Sequence, residues 1–506
     1  MMHVRRSDSV SLLIRRRWFL GGTALAVLLA GCAVGPDFKK PAAPKVSGYT
    51  QEPLAPATVS ADTTGGETQH FTVGGDIAAD WWTLFHSKPL SDLIEQAITD
   101  NPDLKSAQAA LRAARETTSA QRGAYLPSLS ADLAASRQSQ SVEISPVPNT
   151  QTFQYNLFTP QLSLTYAPDV FGLNQRTVEN LKAQQDAARY QMLATYTTLT
   201  SNVVVTAIQE ASTRKQIEAT KEIIDAEAKL VDILEYQLKK GYASGLDLAA
   251  QKSQLAQARA SLPPLIKQEA QLHDQLSDLV GKFPSEGPRD TFELADLQLP
   301  QDIPVSLPSK LVRQRPDVLQ AEANLHAASA AIGIAIANRL PNLQLTAGAG
   351  SEALAVGQLF TPGTNFWAIG ADLTTPIFEG GTLLHRERAA RAQYEQAAQQ
   401  YRSTVLTAFQ NVADTLTALQ QDADALKAAA EAADAAKVTL DLTERQLKDG
   451  YASYLALLNA EQAYQQTRAT LILAQANRYA DTAALFQALG GGWWHSTEFA
   501  EDGHGK

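Results

Sequence analysis

Residues 174–240 and 382–449 contain no proline, and no glycine interrupts either stretch before Gly241 and Gly450 close them. At the rise of an α-helix each would reach on the order of 100 Å, several times the length of an average globular helix. A helix of that length needs coiled-coil packing along its flank rather than a single globular core. Gly241 and Gly450 stand where C-cap glycines stop a helix, and returning helices start near Leu246 and Leu455. The chain thus encodes two helical hairpins with sharp tips. Pro263-Pro264 predicts a kink in the first returning helix.

The hairpins belong to an internal duplication with a period of roughly 210 residues. Asn101-Pro102-Asp103-Leu104 opens a helical stretch that ends in Leu126-Pro127-Ser128-Leu129, and Arg315-Pro316-Asp317-Val318 opens another that ends in Leu340-Pro341-Asn342-Leu343. Gln237-Leu238-Lys239-Lys240-Gly241-Tyr242-Ala243-Ser244 returns as Gln446-Leu447-Lys448-Asp449-Gly450-Tyr451-Ala452-Ser453. Each copy reads helix, two strands, long helix, turn, long helix. Pro102 and Pro316 sit in a first helical turn, with Asn101 as the N-cap of its copy. Apolar side chains alternate through Leu129, Ala131 and Leu133, and through Leu162, Leu164 and Tyr166. The second copy repeats this at Leu343 and Leu345, then at Trp367, Ile369, Ala371 and Leu373. Strands are expected near 127–138, 153–168, 341–352 and 364–376, with polar residues 139–150 as a loop. The repeats then run 91–300 and 301–492, with tips near 241–245 and 450–454 and a tail at 493–506. The fold class is an α+β membrane protein with an internal two-fold repeat. Four strands of this kind suit a barrel with lipid outside and water inside. They cannot close one alone, and open edges are prohibitive in a bilayer, so strands of several chains must combine.

The N-terminus is a sorting signal. Arg5, Arg6, Arg15, Arg16 and Arg17 precede an apolar stretch, Trp18 to Ala30, too short to span a membrane stably. It ends in Leu29-Ala30-Gly31-Cys32, which resembles the bacterial lipobox, and Cys32 is the only cysteine. Residues 1–31 are read as a lipoprotein signal peptide. Cys32 is read as the lipidation site, carrying a diacylglycerol and an N-acyl chain, and two or more chains suffice to hold a protein at a membrane. By the rules of the lipoproteins that this lipobox resembles, Ala33 at the next position, where no aspartate stands, implies sorting to the outer membrane. Residues 32–90 are a lipidated N-terminal tether whose Pro/Gly-rich part, 34–75, runs extended along the body.

The formal net charge of −10 argues against nucleic acid as a partner. Loss of the signal, with five arginines and one aspartate, leaves the mature chain near −14. Apart from the signal no run approaches the length of a membrane-spanning helix. Aromatic residues are only 7% while alanine is dense along the helices, a composition for close packing through small side chains. The eight histidines have no ligand spacing and no phosphate loop precedes a helix, so neither a catalytic centre, a metal site nor a non-covalent cofactor is expected. Acidic pairs along the helices, Asp422 and Asp424 among them, read as solvated faces of coiled coils.

Taken in order, these segments resemble the TolC-like outer-membrane factors, in the lipoprotein branch serving resistance-nodulation-division pumps. The resemblance runs from Cys32 to Trp494. It includes Gly35-Pro36-Asp37-Phe38, Trp81-Trp82, Asp169-Val170-Phe171-Gly172, Pro376-Ile377-Phe378-Glu379-Gly380-Gly381 and Ala488-Leu489-Gly490-Gly491-Gly492-Trp493. It implies a homotrimer in which four strands per chain build a twelve-stranded barrel, continued by a coiled-coil helical tunnel through the periplasm. The partners it implies are outer-membrane lipid, a periplasmic adaptor and an inner-membrane pump. The function it implies is passive conduction of small toxic molecules or drugs. It places the entrance constriction at Leu455 and Asn459, where many relatives carry aspartate in the second position. Tyr451 either latches that constriction through its hydroxyl or closes the helical turn. Gly241, Tyr242, Ser244, Gly450 and Ser453 would contact the adaptor, beside their role as turn residues. In Tyr166-Ala167-Pro168-Asp169 the proline departs from the family pattern, and strand two is expected to end or bulge there. An exit duct for protein secretion and a lipid-anchored coiled-coil scaffold remain the alternative functions.

Overall fold

The computed structural model describes residues 33–140, 153–288 and 292–496. The signal segment, Cys32, most of the 139–150 loop and the end of the tail lie outside the described residues. In chain order the elements are strand β1 (His70–Val73), helices α1 (Lys88–Asp100) and α2 (Pro102–Arg122), and strands β2 (Ser128–Gln140) and β3 (Phe153–Tyr166). Helices α3 (Leu173–Lys239) and α4 (Gly245–Leu279) form the first hairpin. Strand β4 (Asp302–Val305) and helices α5 (Pro308–Gln314) and α6 (Pro316–Ala337) follow, then strands β5 (Asn342–Ser351) and β6 (Asn365–Thr374). Helices α7 (Thr382–Lys448) and α8 (Tyr454–Ala488) form the second hairpin.

The duplication is reproduced in element lengths. Both outgoing helices have 67 residues and both returning helices 35. It also recurs in how each repeat is tied together. Asn101 accepts the Leu104 N–H at 3.0 Å as N-cap of α2, and its amide donates to the carbonyl of Leu279, the last residue of α4. In the second copy Arg315 donates to the carbonyl of Ala488, the last residue of α8, and forks onto Asp317. In both copies the residue before the helix-opening proline therefore satisfies an otherwise unpaired terminal carbonyl. The proline pair at 263–264 lies inside α4, which continues through it as one helix.

The chain divides into two bodies. The first comprises residues up to Lys40, Arg112–Asp186 and Glu322–Gln400. It holds an antiparallel sheet in the order β2-β3-β5-β6. Strand β3 ends at Tyr166, short of Pro168. Ala183, Ala323, Ala327, Ala330 and Ala337 are buried in its helices, the small-residue packing expected of this composition.

The second body comprises Pro41–Leu111, Ala187–Ala321 and the chain from Tyr401 onward. Its core is built on Trp81, Phe85, Leu193, Ile208, Tyr479 and Phe486, with the Trp81 and Phe486 rings 5.2 Å apart. Within it, the stretch read from composition as a tether is part of the fold. Strand β1 pairs in parallel with β4, Tyr49 donates its hydroxyl to the Ser306 carbonyl, and Gln69 donates to Pro300 and Thr482. Asp424 is exposed, as expected of a solvated face. Asp422 is not: it is half-buried beside Asp481, and burial together with that neighbour raises its pKa.

Candidate functional site: hairpin tips, exposed sheet face and N-terminal seat

Both tips are built by the same backbone device. The Gly241 N–H donates to Leu238 and the Tyr242 N–H to Gln237; the Gly450 and Tyr451 N–H groups repeat this onto Leu447 and Gln446. This Schellman arrangement requires a left-handed residue, and the φ angles of Gly241 and Gly450 are 79° and 78°. Ser244 then caps α4 in a capping box with Asp247, while Ser453 caps α8 through the Ala456 N–H at 3.2 Å. Gly241, Ser244, Gly450 and Ser453 thus all perform turn chemistry. The side chains the turns push outward are Tyr242, Leu246, Tyr451 and Leu455, all exposed large hydrophobics. Asn459 is exposed one turn beyond Leu455, on the side of α8 away from buried Leu457, Ala460 and Glu461.

The contacts between the hairpins involve side chains that the sequence did not single out. The tyrosine that bridges them is Tyr454, whose hydroxyl donates to Gln237 Oε1; Tyr451 is left projecting from the turn. Further along, Gln462 donates to Gln254 at 2.8 Å, Gln465 to Glu227 at 3.2 Å, and Arg468 pairs with Glu222 at 2.6 Å. Burial raises the pKa of Glu227. Burial, followed by the charges of Glu227 and Glu444, pushes Glu461 up to about 8. The signal available in the sequence was a break in the duplication. In the register that pairs Gly241 with Gly450, Glu461 falls opposite Lys252, which instead pairs with Glu235 in the first hairpin.

In the first body the sheet has one apolar and one polar face. Leu129 lies opposite Leu164, Ala349 opposite Trp367, Ala347 opposite Ile369 and Leu343 opposite Leu373. Leu129, Leu133, Leu162, Trp367, Ile369 and Leu373 are all exposed. Ser130, Asp132, Ser163, Gln344 and Asp372 occupy the alternate positions. Among the described residues, strands β2 and β6 each have only one partner.

The same body seats the chain immediately after Cys32. The Val34 N–H donates to Phe171, and the nearly inaccessible Arg176 donates to Val34 O, Gly35 O, Asp37 and Glu179. Phe38 stacks on His326 with ring centroids 4.3 Å apart, and His326 meets Glu179 at 2.9 Å. Gly35, at φ 97°, lies so close to the Gly333 backbone that a Cβ would come within 2.5 Å of its Cα. The Gly35-Pro36-Asp37-Phe38 segment is therefore a docking motif, and the chain leaves no free linker after Ala33. Among the described residues no group of three or more His, Cys, Asp and Glu is placed to hold a metal ion, and no helix is long and apolar enough to cross a membrane.

Residues 93–282 and 307–491 match the family model described as outer membrane efflux protein. The chain is 29% identical over 483 residues to the probable efflux pump outer membrane protein TtgC of Pseudomonas putida, covering 93% of this chain and 95% of that one. It is 27% identical to the probable outer membrane lipoprotein SilC of Salmonella typhimurium, covering 92% and 97%. The crystal structure of the Campylobacter jejuni CmeC outer membrane channel shares its fold, with a TM-score of 0.81 at 20% identity over 93% of this chain and 97% of that one. Matched across both of its repeats, the chain belongs to the outer membrane efflux protein family.

Proposed function

We propose that this protein is the outer-membrane duct of a tripartite efflux system, passively conducting small toxic molecules delivered by an inner-membrane pump through a periplasmic adaptor. The observation that carries this reading is the sheet: an exposed apolar face backed by a polar one, ended by two edges without partners among the described residues. In a bilayer such edges must be paired, and the family supplies the solution of a homotrimer whose twelve strands close one barrel. The polar face then lines the pore. Acylation of Cys32 anchors each chain in outer-membrane lipid, two residues before Val34, the first residue held by Arg176. The names of TtgC and SilC support efflux and lipidation respectively.

In this assembly Leu455, Asn459 and Tyr451 face the entrance, and the adaptor docks on the tips at Gly241, Tyr242, Ser244, Gly450 and Ser453. Exposure of the tyrosines and leucines there supports both roles. Three asparagines narrow a pore without charging it. Asn459→Asp is accordingly expected to make single-channel conductance sensitive to acid and to divalent cations. Titration curves identical to wild type would remove Asn459 from the pore lining. To separate efflux from protein secretion, the gene is deleted and drug susceptibility is measured beside the level of secreted proteins. Increased susceptibility with unchanged secretion is expected; the reverse pattern would replace efflux with a secretion outlet.

A further inference from the structure

Glu227 of α3 and Glu461 of α8 are both buried at the contact between the hairpins, 1% and 8% exposed, and Gln465, one helical turn beyond Glu461 on α8, donates to Glu227. Two acids buried side by side with no cation between them disfavour joint ionisation, so the contact favours keeping one proton. The surrounding donors locate it. Gln251 of α4 donates an amide N–H to Glu227 Oε2, and Gln465 of α8 donates another to Oε1 at 3.2 Å. Donors on both oxygens favour the ionised form of Glu227. Glu461 is therefore the acid, and its Oε2 is buried with no hydrogen-bond partner. From α7 the facing charge is Glu444, a further acid, while α4 presents only the neutral amides of Gln251 and Gln254. Arg468, two turns along α8, is engaged with Glu222 of α3. Among the described residues no basic side chain pairs with either member.

We propose that Glu227 and Glu461 form a one-proton lock between the two hairpins: the bound proton holds α8 against α3, and its departure leaves two buried like charges that push the second hairpin off the first. The proton leaves the Glu461 carboxyl for water in the adjacent cleft of about 570 Å³, lined by Gln254, Gln462, Gln465 and Arg468 among others. Separated hairpins expose both carboxyls to water and return Glu461 to the ordinary glutamate range. The sign follows from linkage. Glu461, raised to about 8 while packed, retains a proton that the separated form has lost over the interval between the ordinary value and 8. Packing is therefore fully favoured on the acid side and weakens as pH rises through that interval. The ratio of separated to packed hairpins changes by up to about tenfold per pH unit. The upward shift of Glu227 by burial acts in the same direction. Only the consequence for conduction, an entrance shut by acid, rests on the duct reading.

The test uses the full-length protein purified in detergent, with spin labels on cysteines introduced at the exposed tips, Tyr242→Cys and Tyr451→Cys. Wild-type distances should lengthen as pH rises from about 6 to about 8, with the separated fraction growing by up to roughly tenfold per unit. Glu461→Gln has no proton to lose, so it should hold the short distance throughout. Infrared spectra at neutral pH should show a carboxylic-acid carbonyl band that Glu461→Gln removes. The same pH response in Glu461→Gln, or no such band in the wild type, would overturn the proposal. So would a chelator that separates the tips at constant pH, because a metal ion would then be the bridge. None of these readouts is a conductance, so a failure of the duct reading leaves the test intact.

Discussion

Arg478→Ala is expected to destabilise the protein by about 3–5 kcal/mol, the loss typical of breaking a buried charge network. Arg478 is entirely inaccessible. Its guanidinium donates to the Leu419 carbonyl at 3.0 Å, to Glu67 O at 3.2 Å, to Thr58 Oγ1 at 3.4 Å and to Gly65 O at 3.5 Å. One side chain thereby ties α8 to α7 and to the N-terminal stretch 58–67. Burial pulls its pKa down while the charges of Asp422 and Glu67 oppose that pull. Alanine leaves those acceptors without their donor. Lysine restores the charge without the fork that reaches α7 and the 58–67 stretch at once, and should recover only a minor part of the loss. Denaturant unfolding of the full-length protein in detergent measures both variants. A change in Arg478→Ala below about 1 kcal/mol, the size of an ordinary substitution, would mean that the N-terminal stretch is held elsewhere.

The second large effect is expected on the sheet. Ile369→Arg places a charge in the middle of the apolar face, opposite Ala347, where the side chain is now 77% exposed. If that face meets lipid, the cost is about 2–4 kcal/mol per chain, repeated in every copy around the barrel. Gln344→Arg is the matched control. It lies on the alternate face, opposite Asp372, where a guanidinium is solvated and beside an acid. The yield of heat-modifiable protein in the outer-membrane fraction should fall steeply for Ile369→Arg and remain near wild type for Gln344→Arg. Equal yields would deny that the apolar face is the lipid face.

The long helices were legible because nothing in them conflicts. Two proline- and glycine-free stretches end at glycines, and the observed ends at Lys239 and Lys448 fall where the C-cap glycines put them. The four strands of the larger sheet were legible from the alternation of apolar and polar side chains over part of each strand, the pattern of a sheet with one apolar and one polar face. The short β1–β4 pair was not, since four residues of mixed pattern such as His70–Val73 carry no periodicity, and the pairing spans more than two hundred residues. Composition likewise presented residues 34–75 as a tether. Docking of that stretch depends on single long-range contacts, such as Arg176 to Asp37 and Tyr49 to Ser306. The inter-hairpin acids were hidden for a different reason. A helix with many charged residues reads as solvated, and only the packing of a second hairpin turns Glu227 and Glu461 inward. Tyr451 repeats Tyr242, but Tyr454 has only Gly245 as its counterpart in the first copy, so the bridge to Gln237 carries no repeat signature.

Planar-bilayer recording of the detergent-purified, full-length protein, paired with its mass in solution, tests the central claim most directly. A duct assembled from four strands per chain predicts a trimer that inserts and conducts ions as a continuous pore. A monomer that never conducts, or a protein that turns soluble once its lipid is removed, would contradict the account and leave a lipid-anchored coiled-coil scaffold in its place.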